Sequence, residues 1–179
     1  MVTLTSPAKL ANMVTFLETA PDGIVVEVGV FEGGSLEWLA SRFPDRTFLG
    51  YDTFIGLPPS TEKDNFHREG HFACDLESVK KRFASLANVT LIQGVFPTSA
   101  VLNPGLNWIA LAHVDVDLYE HTLASIRFLA PRMASGGRIY CDDAFVPTCR
   151  GATEAVEQFA AESGRPLLKE WPEHAYFQF

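Results

Sequence analysis

The chain has 179 residues, 47% of them hydrophobic, and carries 14 Lys and Arg against 22 Asp and Glu for a formal charge of −8, which suits one domain with a proper core and leaves little material for a second. Nucleic acid is a poor partner for such a negative field, since the basic residues do not cluster. The apolar runs are strand-sized and broken by charges, and Met1 to Thr5 has no basic stretch leading into an apolar core, so neither a membrane partner nor a leader is expected and a cytoplasmic location is.

Ser6 followed by Pro7 is an N-cap with proline at the first helical position. Leu10, Met13, Val14 and Leu17 then share one helical face, which predicts a leading helix within 1–20. Pro21-Asp22-Gly23 turns the chain into a first strand, Ile24 to Val28, an apolar β-branched run of the kind buried on both faces. Gly29 and Gly33-Gly34 follow, and Leu36, Leu39 and Ala40 begin a second helical pattern. Glycines at such a crossing permit positive φ and close approach of a ligand, and the free N–H groups of a helix start can hold an anionic group. A second strand, Thr47 to Tyr51, ends at Asp52, 23 residues beyond Gly29. An acidic side chain there, with Thr53 beside it, accepts the two ribose hydroxyls in nucleotide-binding β-α-β units. A dinucleotide fold prefers G-x-G-x-x-G, which is absent. The pattern Glu27-x-Gly29-x-x-x-Gly33-x-Ser35 instead resembles the first motif of class I S-adenosylmethionine (SAM) methyltransferases.

Residues 53–75 form the least regular stretch and are expected as a loop beside the site. His67, His71 and Cys74 fall within it, but Gly70 interrupts any helix between the histidines and no fourth ligand is close, which argues against zinc. Cys74, Cys141 and Cys149 are odd in number and form no C-x-x-C, as for reduced thiols. Asp75 can cap a helix bearing Leu76, Val79, Phe83 and Leu86, and Val89 to Gln93 is the third strand. Gly94-Val95-Phe96 then lies next to the first loop, where it can flank an adenine. Trp108 to Val114 is the fourth strand and runs into Asp115-Val116-Asp117. A helix with Leu123, Ile126 and Leu129 ends at Pro131, Gly136-Gly137 turns the chain, and the fifth strand, Arg138 to Cys141, ends in Asp142-Asp143. Asp117 as a helix cap and Asp143 as a turn residue are the plainer readings of two of these groups. Together, however, unpaired carboxylates on adjoining strands repel one another, so Asp115, Asp142 and Asp143 point to a bound divalent cation, and an all-oxygen site suits Mg²⁺. Leu167 to Trp171 and Ala175 to Phe179 close the chain as an antiparallel hairpin around Pro172-Glu173-His174.

Four segments, Val26 to Ser35, Asp52 to Pro58, Asp115 to Glu120 and Gly136 to Asp143, are similar in the same order to the macrocin O-methyltransferase family (TylF/MycF type), as are Cys149 to Ala152 and Ala155-Val156. The resemblance runs from about Val25 to Phe159. It implies a doubly wound, mostly parallel seven-stranded sheet with an antiparallel C-terminal hairpin. It further implies a SAM- and Mg²⁺-dependent enzyme that methylates a hydroxyl of a small molecule, a sugar or natural product. Asp115, Asp142 and Asp143 would be the metal ligands. Glu27, Gly29, Gly33, Ser35, Asp52, Thr53, Gly94, Val95, Phe96 and Asp115 would line the cofactor. The chain departs from the family's Trp-Arg at Phe31-Glu32 and from its serine or threonine at His121, and it lacks much of the family's N-terminal and lid segments. Related catechol methyltransferases place a basic lysine three residues after the first metal aspartate, where this chain has Leu118. The candidates for the base are therefore Asp115, Asp117 and His121, of which Asp115, already beside the hydroxyl, is preferred.

Two other functions compete. A haloacid-dehalogenase-type phosphatase shares D-x-D and a later D-D pair, but it needs a lysine between them, and none lies between Leu118 and Cys141. A non-catalytic SAM-binding protein would not require three converging carboxylates. The sequence leaves monomer and homo-oligomer both open.

Overall fold

In the computed structural model, residues 3–101, 105–172 and 174–179 are described. Their elements are α1 (Pro7–Leu17), β1 (Ile24–Val28), α2 (Gly34–Arg42), β2 (Phe48–Asp52), α3 (Leu76–Arg82), β3 (Val89–Gln93), β4 (Ile109–Val114), α4 (Tyr119–Leu129), β5 (Met133–Cys141), α5 (Arg150–Ser163), β6 (Leu168–Glu170) and β7 (His174–Gln178). The strands form one sheet in the order β3-β2-β1-β4-β5-β7-β6. Pairings from β3 through β5 are parallel, and β7 runs antiparallel to both β5 and β6. This is the doubly wound sheet with a closing hairpin that the sequence predicts. Glu173 of the predicted hairpin turn, and Met1 and Val2 of the leader reading, lie outside the described residues. No helix among the described residues is long and apolar enough to cross a membrane.

Alternation along the strands builds two apolar layers. Val26, Val28, Ala112, Val114 and Ile139 face α4 and α5, meeting Leu123, Ile126, Val156 and Phe159. Val25, Phe48, Leu111 and Tyr140 face α1 to α3, meeting Leu10, Met13, Leu36, Leu39 and Val79. The β-branched centre of the sheet is thus covered on both sides, as a parallel sheet requires. Because β1 is flanked by β2 and β4, the chain reverses its direction of winding between β1 and β4. The loops after those two strands splay apart there and open a crevice.

Several boundaries differ from prediction. β2 is Phe48–Asp52 rather than Thr47–Tyr51, α3 stops at Arg82 short of Phe83 and Leu86, and the hairpin strands are Leu168–Glu170 and His174–Gln178. Three other differences have a local cause. The first helix ends at Leu17 rather than near Ala20; Pro21 has no N–H to give the Leu17 carbonyl, which accepts from the Arg46 guanidinium at 3.4 Å instead. Trp108 is an exposed left-handed turn residue at φ 61° rather than part of the fourth strand, and its carbonyl accepts the Ile24 N–H at 3.1 Å. Gly136-Gly137 does not precede the fifth strand but bulges within it, where the register jumps from Ile109↔Met133 to Leu111↔Arg138.

The irregular segment 53–75 is fastened to two helix starts. Neither α4 nor α5 has a capping side chain at its own N-cap, Leu118 or Cys149. Asp64 Oδ1 instead accepts the Tyr119 N–H at 2.9 Å, while its Oδ2 accepts the Thr61 N–H and hydroxyl at 2.8 and 2.9 Å. Asn65 Oδ1 accepts the Arg150 N–H at 3.2 Å. A Cβ at residue 151 would lie 2.1 Å from Asp64 Oδ1, so Gly151 is what lets the loop come this close. Asp64→Ala removes a cap and should cost about 1 kcal/mol in urea unfolding. It should also raise proteolytic cleavage within 53–75, whereas an unchanged midpoint and digestion pattern would remove Asp64 as the loop's anchor.

Candidate active site at the carboxyl edge of the sheet

The loops after β1, β2, β4 and β5 surround a cavity of about 340 Å³. Gly29 closes β1 at φ +95°, and a Cβ there would sit 1.7 Å from the Asp115 carbonyl oxygen. Only glycine therefore allows the first loop to lie against the end of β4. Gly33 starts α2 in the left-handed region without a capping side chain, and it lines the cavity with Gly34 and Ser35. Asp52 organises this side. Its Oδ2 accepts the Phe31 N–H and its Oδ1 the Phe54 N–H, each at 2.7 Å. Each oxygen keeps a lone pair for a further donor, as two ribose hydroxyls demand. Thr53 donates its hydroxyl to the Gly56 carbonyl at 2.6 Å and so shapes the loop rather than offering a donor to the cavity. Gly94, Val95 and Phe96 line the cavity as predicted, but Phe96 is a core residue, edge-on to Tyr51 and Phe128 at 5.0 and 5.3 Å. Glu27 is 1% exposed and does not line the cavity. Its Oε1 accepts the Ser35 hydroxyl at 2.5 Å, so its part in the loop is as a brace behind it.

Opposite lie the carboxylates. Oxygens of Asp115, Asp142 and Asp143 come within 4.8 Å of one another. Burial and then the charges of Asp142 and Asp143 push the Asp115 carboxyl well above its ordinary range, and burial with Asp117 and Asp142 does the same to Asp143. Asp142 differs. Burial acts upward on it too, but the hydrogen bond and charge of His113, with Lys9, hold it well below the ordinary range. His113 is fully buried, with Nδ1 2.9 Å from Glu27 Oε1 and Nε2 3.2 Å from Asp142 Oδ1. Burial alone would discharge it, yet the bonds to Asp142 and Glu27 raise it well above the usual histidine range. Lys9 of α1 pairs with Asp142 Oδ2 at 3.1 Å and also donates to the Asp142 carbonyl.

Asp117 stands outside the triad at φ 59°. Its N–H donates to Asp143 Oδ2 at 2.8 Å, and its Oδ1 lies 3.2 Å from His67 Nε2 and 3.4 Å from Cys149 Sγ. His121 lines the same cavity, and burial lowers its pKa. The cluster weighed in sequence is split. His71 is exposed, and Cys74 turns to the Phe31 carbonyl at 3.2 Å, while His67 alone reaches the carboxylates. Sequence reasoning passed over Lys9 and His113, weighed His67 only for zinc with His71 and Cys74, and read Cys149 only as a reduced thiol within a family motif. His113 carried a usable signal, a titratable residue inside the apolar run Ile109 to Val114. Lys9 carried a weaker one, a cation beside the buried Leu10.

A sheet ordered 3-2-1-4-5-7-6, with a glycine loop after β1 and an aspartate closing β2, is the fold of class I methyltransferases. The sequence profile described as macrocin-O-methyltransferase (TylF) matches residues 3–167, and the chain belongs to that family. Demethyldecarbamoylnovobiocin O-methyltransferase of Streptomyces niveus is 28% identical over 158 residues, covering 78% of this chain and 59% of that protein. The 8-demethyl-8-(2,3-dimethoxy-alpha-L-rhamnosyl)-tetracenomycin-C 4'-O-methyltransferase of Streptomyces olivaceus is 28% identical over 171 residues, covering 84% and 65%. The chain thus spans about six-tenths of the length of these curated relatives. The solved structure of the O-methyltransferase NovP superposes with a TM-score of 0.81 at 26% identity, over 95% of this chain and 78% of that one.

Two outcomes test the site. Asp52→Ala should weaken S-adenosylhomocysteine binding at least about tenfold by calorimetry, the equivalent of one charge-assisted hydrogen bond. Unchanged affinity would remove Asp52 from the cofactor side. His113→Leu should destabilise the fold by ~3–5 kcal/mol, because it strands two buried carboxylates. Chemical denaturation at neutral pH measures this, and a loss below about 1 kcal/mol would mean Glu27 and Asp142 do not depend on His113.

Proposed function

We propose that this chain is a SAM-dependent O-methyltransferase acting on a hydroxyl of a small molecule, of the sugar or natural-product class, with Mg²⁺ on Asp115, Asp142 and Asp143. The observation that carries this is one cavity with a ribose-type aspartate on one wall and three converging carboxylates on the other. The donor set fits a divalent cation. Three oxygen donors meet, burial and then the charges of neighbouring carboxylates raise the pKa values of two of them, and His113 and Lys9 bond only to the third, Asp142. The names of both curated relatives, one of which specifies a rhamnosyl group, support the acceptor class.

The cofactor side would be held by Asp52 on the ribose and by the glycine loop and α2 start on the amino-acid end. Mg²⁺ at the triad would supply a Lewis acid that lowers the pKa of the acceptor hydroxyl. SAM held on the cofactor side would supply the methyl group as its sulfonium leaves, and the proton of the acceptor hydroxyl would pass to a carboxylate of this chain. Asp117 is best suited to receive it. A carboxylate committed to a cation loses basicity, which counts against Asp115, whereas Asp117 lies outside the triad and is oriented by His67 at 3.2 Å. Half-buried Phe72 and buried Cys149 form part of the wall that keeps water from this side.

Incubation with SAM and a panel of glycosylated and polyphenolic acceptors, read as the mass gain of one methyl replacing the hydroxyl hydrogen of the acceptor, tests the activity directly. Chelation or Asp142→Asn should stop turnover while leaving S-adenosylhomocysteine affinity in place. Asp117→Asn should lower turnover by ~10²–10⁴-fold, and His121→Ala should retain a readily measured rate with the parent's pH dependence. Full-rate methylation by chelated protein would end the assigned role of the triad, and a thousandfold loss confined to His121→Ala would move the base there.

A further inference from the structure

Beside the oxygen triad, a second set of donors with different chemistry faces the same cavity. His67, Asp117 and Cys149 each offer one atom, and the three lie within 4.8 Å of one another. His67 Nε2 is 3.2 Å and Cys149 Sγ 3.4 Å from Asp117 Oδ1, and Cys149 Sγ is 3.7 Å from Asp143 Oδ1. A tetrahedral zinc with Zn–N and Zn–O of ~2.1 Å and Zn–S of ~2.3 Å has N···O edges of about 3.4 Å and S···O edges of about 3.6 Å. The two measured edges lie close to those values. As hydrogen bonds alone the arrangement is less satisfying. One thiol proton is shared between two carboxylates, and His67, 8% exposed, has no partner at Nδ1.

We propose that His67, Asp117 and Cys149 form a second metal site, for a borderline divalent cation of the Zn²⁺ or Co²⁺ class, separate from the oxygen triad. Nitrogen, oxygen and sulfur donors together select such ions over Mg²⁺. On binding, the Cys149 S–H bond breaks, its electron pair goes to the metal and its proton to solvent, and no redox change occurs. Three protein donors leave a fourth position, open to the cavity or reached by Asp143. Occupancy would take Asp117 out of play, so on the functional reading above the site is inhibitory.

Cobalt titration into Mg²⁺-saturated full-length protein tests the site without turnover or SAM. One equivalent of Co²⁺ should produce intense tetrahedral visible bands and a thiolate-to-cobalt charge-transfer band, both bleached by Zn²⁺. Cys149→Ser should lose the charge-transfer band. His67→Gln should weaken cobalt binding by more than the ~10–100-fold that loss of a supporting hydrogen bond costs. Asp142→Asn should keep both signals, since Asp142 bonds His113 and Lys9 and is not one of the three donors His67, Asp117 and Cys149, and this separates failure of the second site from failure of the Mg²⁺ assignment. Circular dichroism establishes that each variant is folded, and His67→Gln decides the matter if Cys149→Ser is not. The proposal is overturned if folded parent gives only weak octahedral bands, if the thiolate band survives Cys149→Ser, or if Cys74→Ser removes it.

Discussion

His113 is the group on which the two halves of the site depend. Glu27 on β1 is in register with His113 on β4, and alternation carries the same face of β5 through Tyr140 to Asp142. Three neighbouring strands are thereby tied by one buried charged chain, Glu27 to His113 to Asp142. A buried ion pair is seldom a net source of stability, because desolvation cancels most of the attraction. Its value lies in fixing position. Glu27 also holds Ser35 at the start of α2, so His113 sets the glycine loop and the Asp142 carboxylate relative to one another.

Around that strut the site is assembled from segments distant in sequence. Lys9 reaches Asp142 from α1, and Asp64 and Asn65 bring segment 53–75 onto the starts of α4 and α5. The same segment delivers His67 to Asp117. Capping by a remote loop explains how a stretch without regular structure is ordered: the helix N–H groups need acceptors, and their own N-cap residues have none to give.

Much of the fold was legible because strand alternation and apolar runs are local signals. Ile24–Val28 and Val89–Gln93 coincide with their predicted spans, and the order of elements fixes a doubly wound sheet. The family match extends further toward the start than the motifs alone suggested, to residue 3, so that Lys9 falls inside it. The departures came from tertiary effects. Gly136-Gly137 reads as a turn by composition, yet pairing with β4 absorbs it as a bulge. Glu27 looks like a cofactor residue by motif, yet a partner 86 positions away turns it inward. Pairings of that kind, including His67 with Asp117 and Cys149, have no local signature.

The backbone also marks where function concentrates. Six non-glycine residues among those described adopt positive φ: Phe31, Phe54, Phe72, Trp108, Asp117 and Phe145. All but Trp108 lie in loops after strands β1, β2, β4 and β5, at the edge where the cavity opens. Left-handed backbone costs a non-glycine residue of order 1–3 kcal/mol, and a loop free to relax would not keep it. At Phe31 and Phe54 the Asp52 carboxylate takes the N–H, and at Asp117 the Asp143 carboxylate does. The carboxylates therefore serve twice, holding strained loops in place with one lone pair and presenting another to the cavity. Substitution of Asp52 or Asp143 alters the shape of the site as well as its charge; at Asp143, Asn keeps an acceptor for the single Asp117 N–H and separates the two contributions better than Ala, whereas at Asp52 it keeps an acceptor for only one of the two N–H groups.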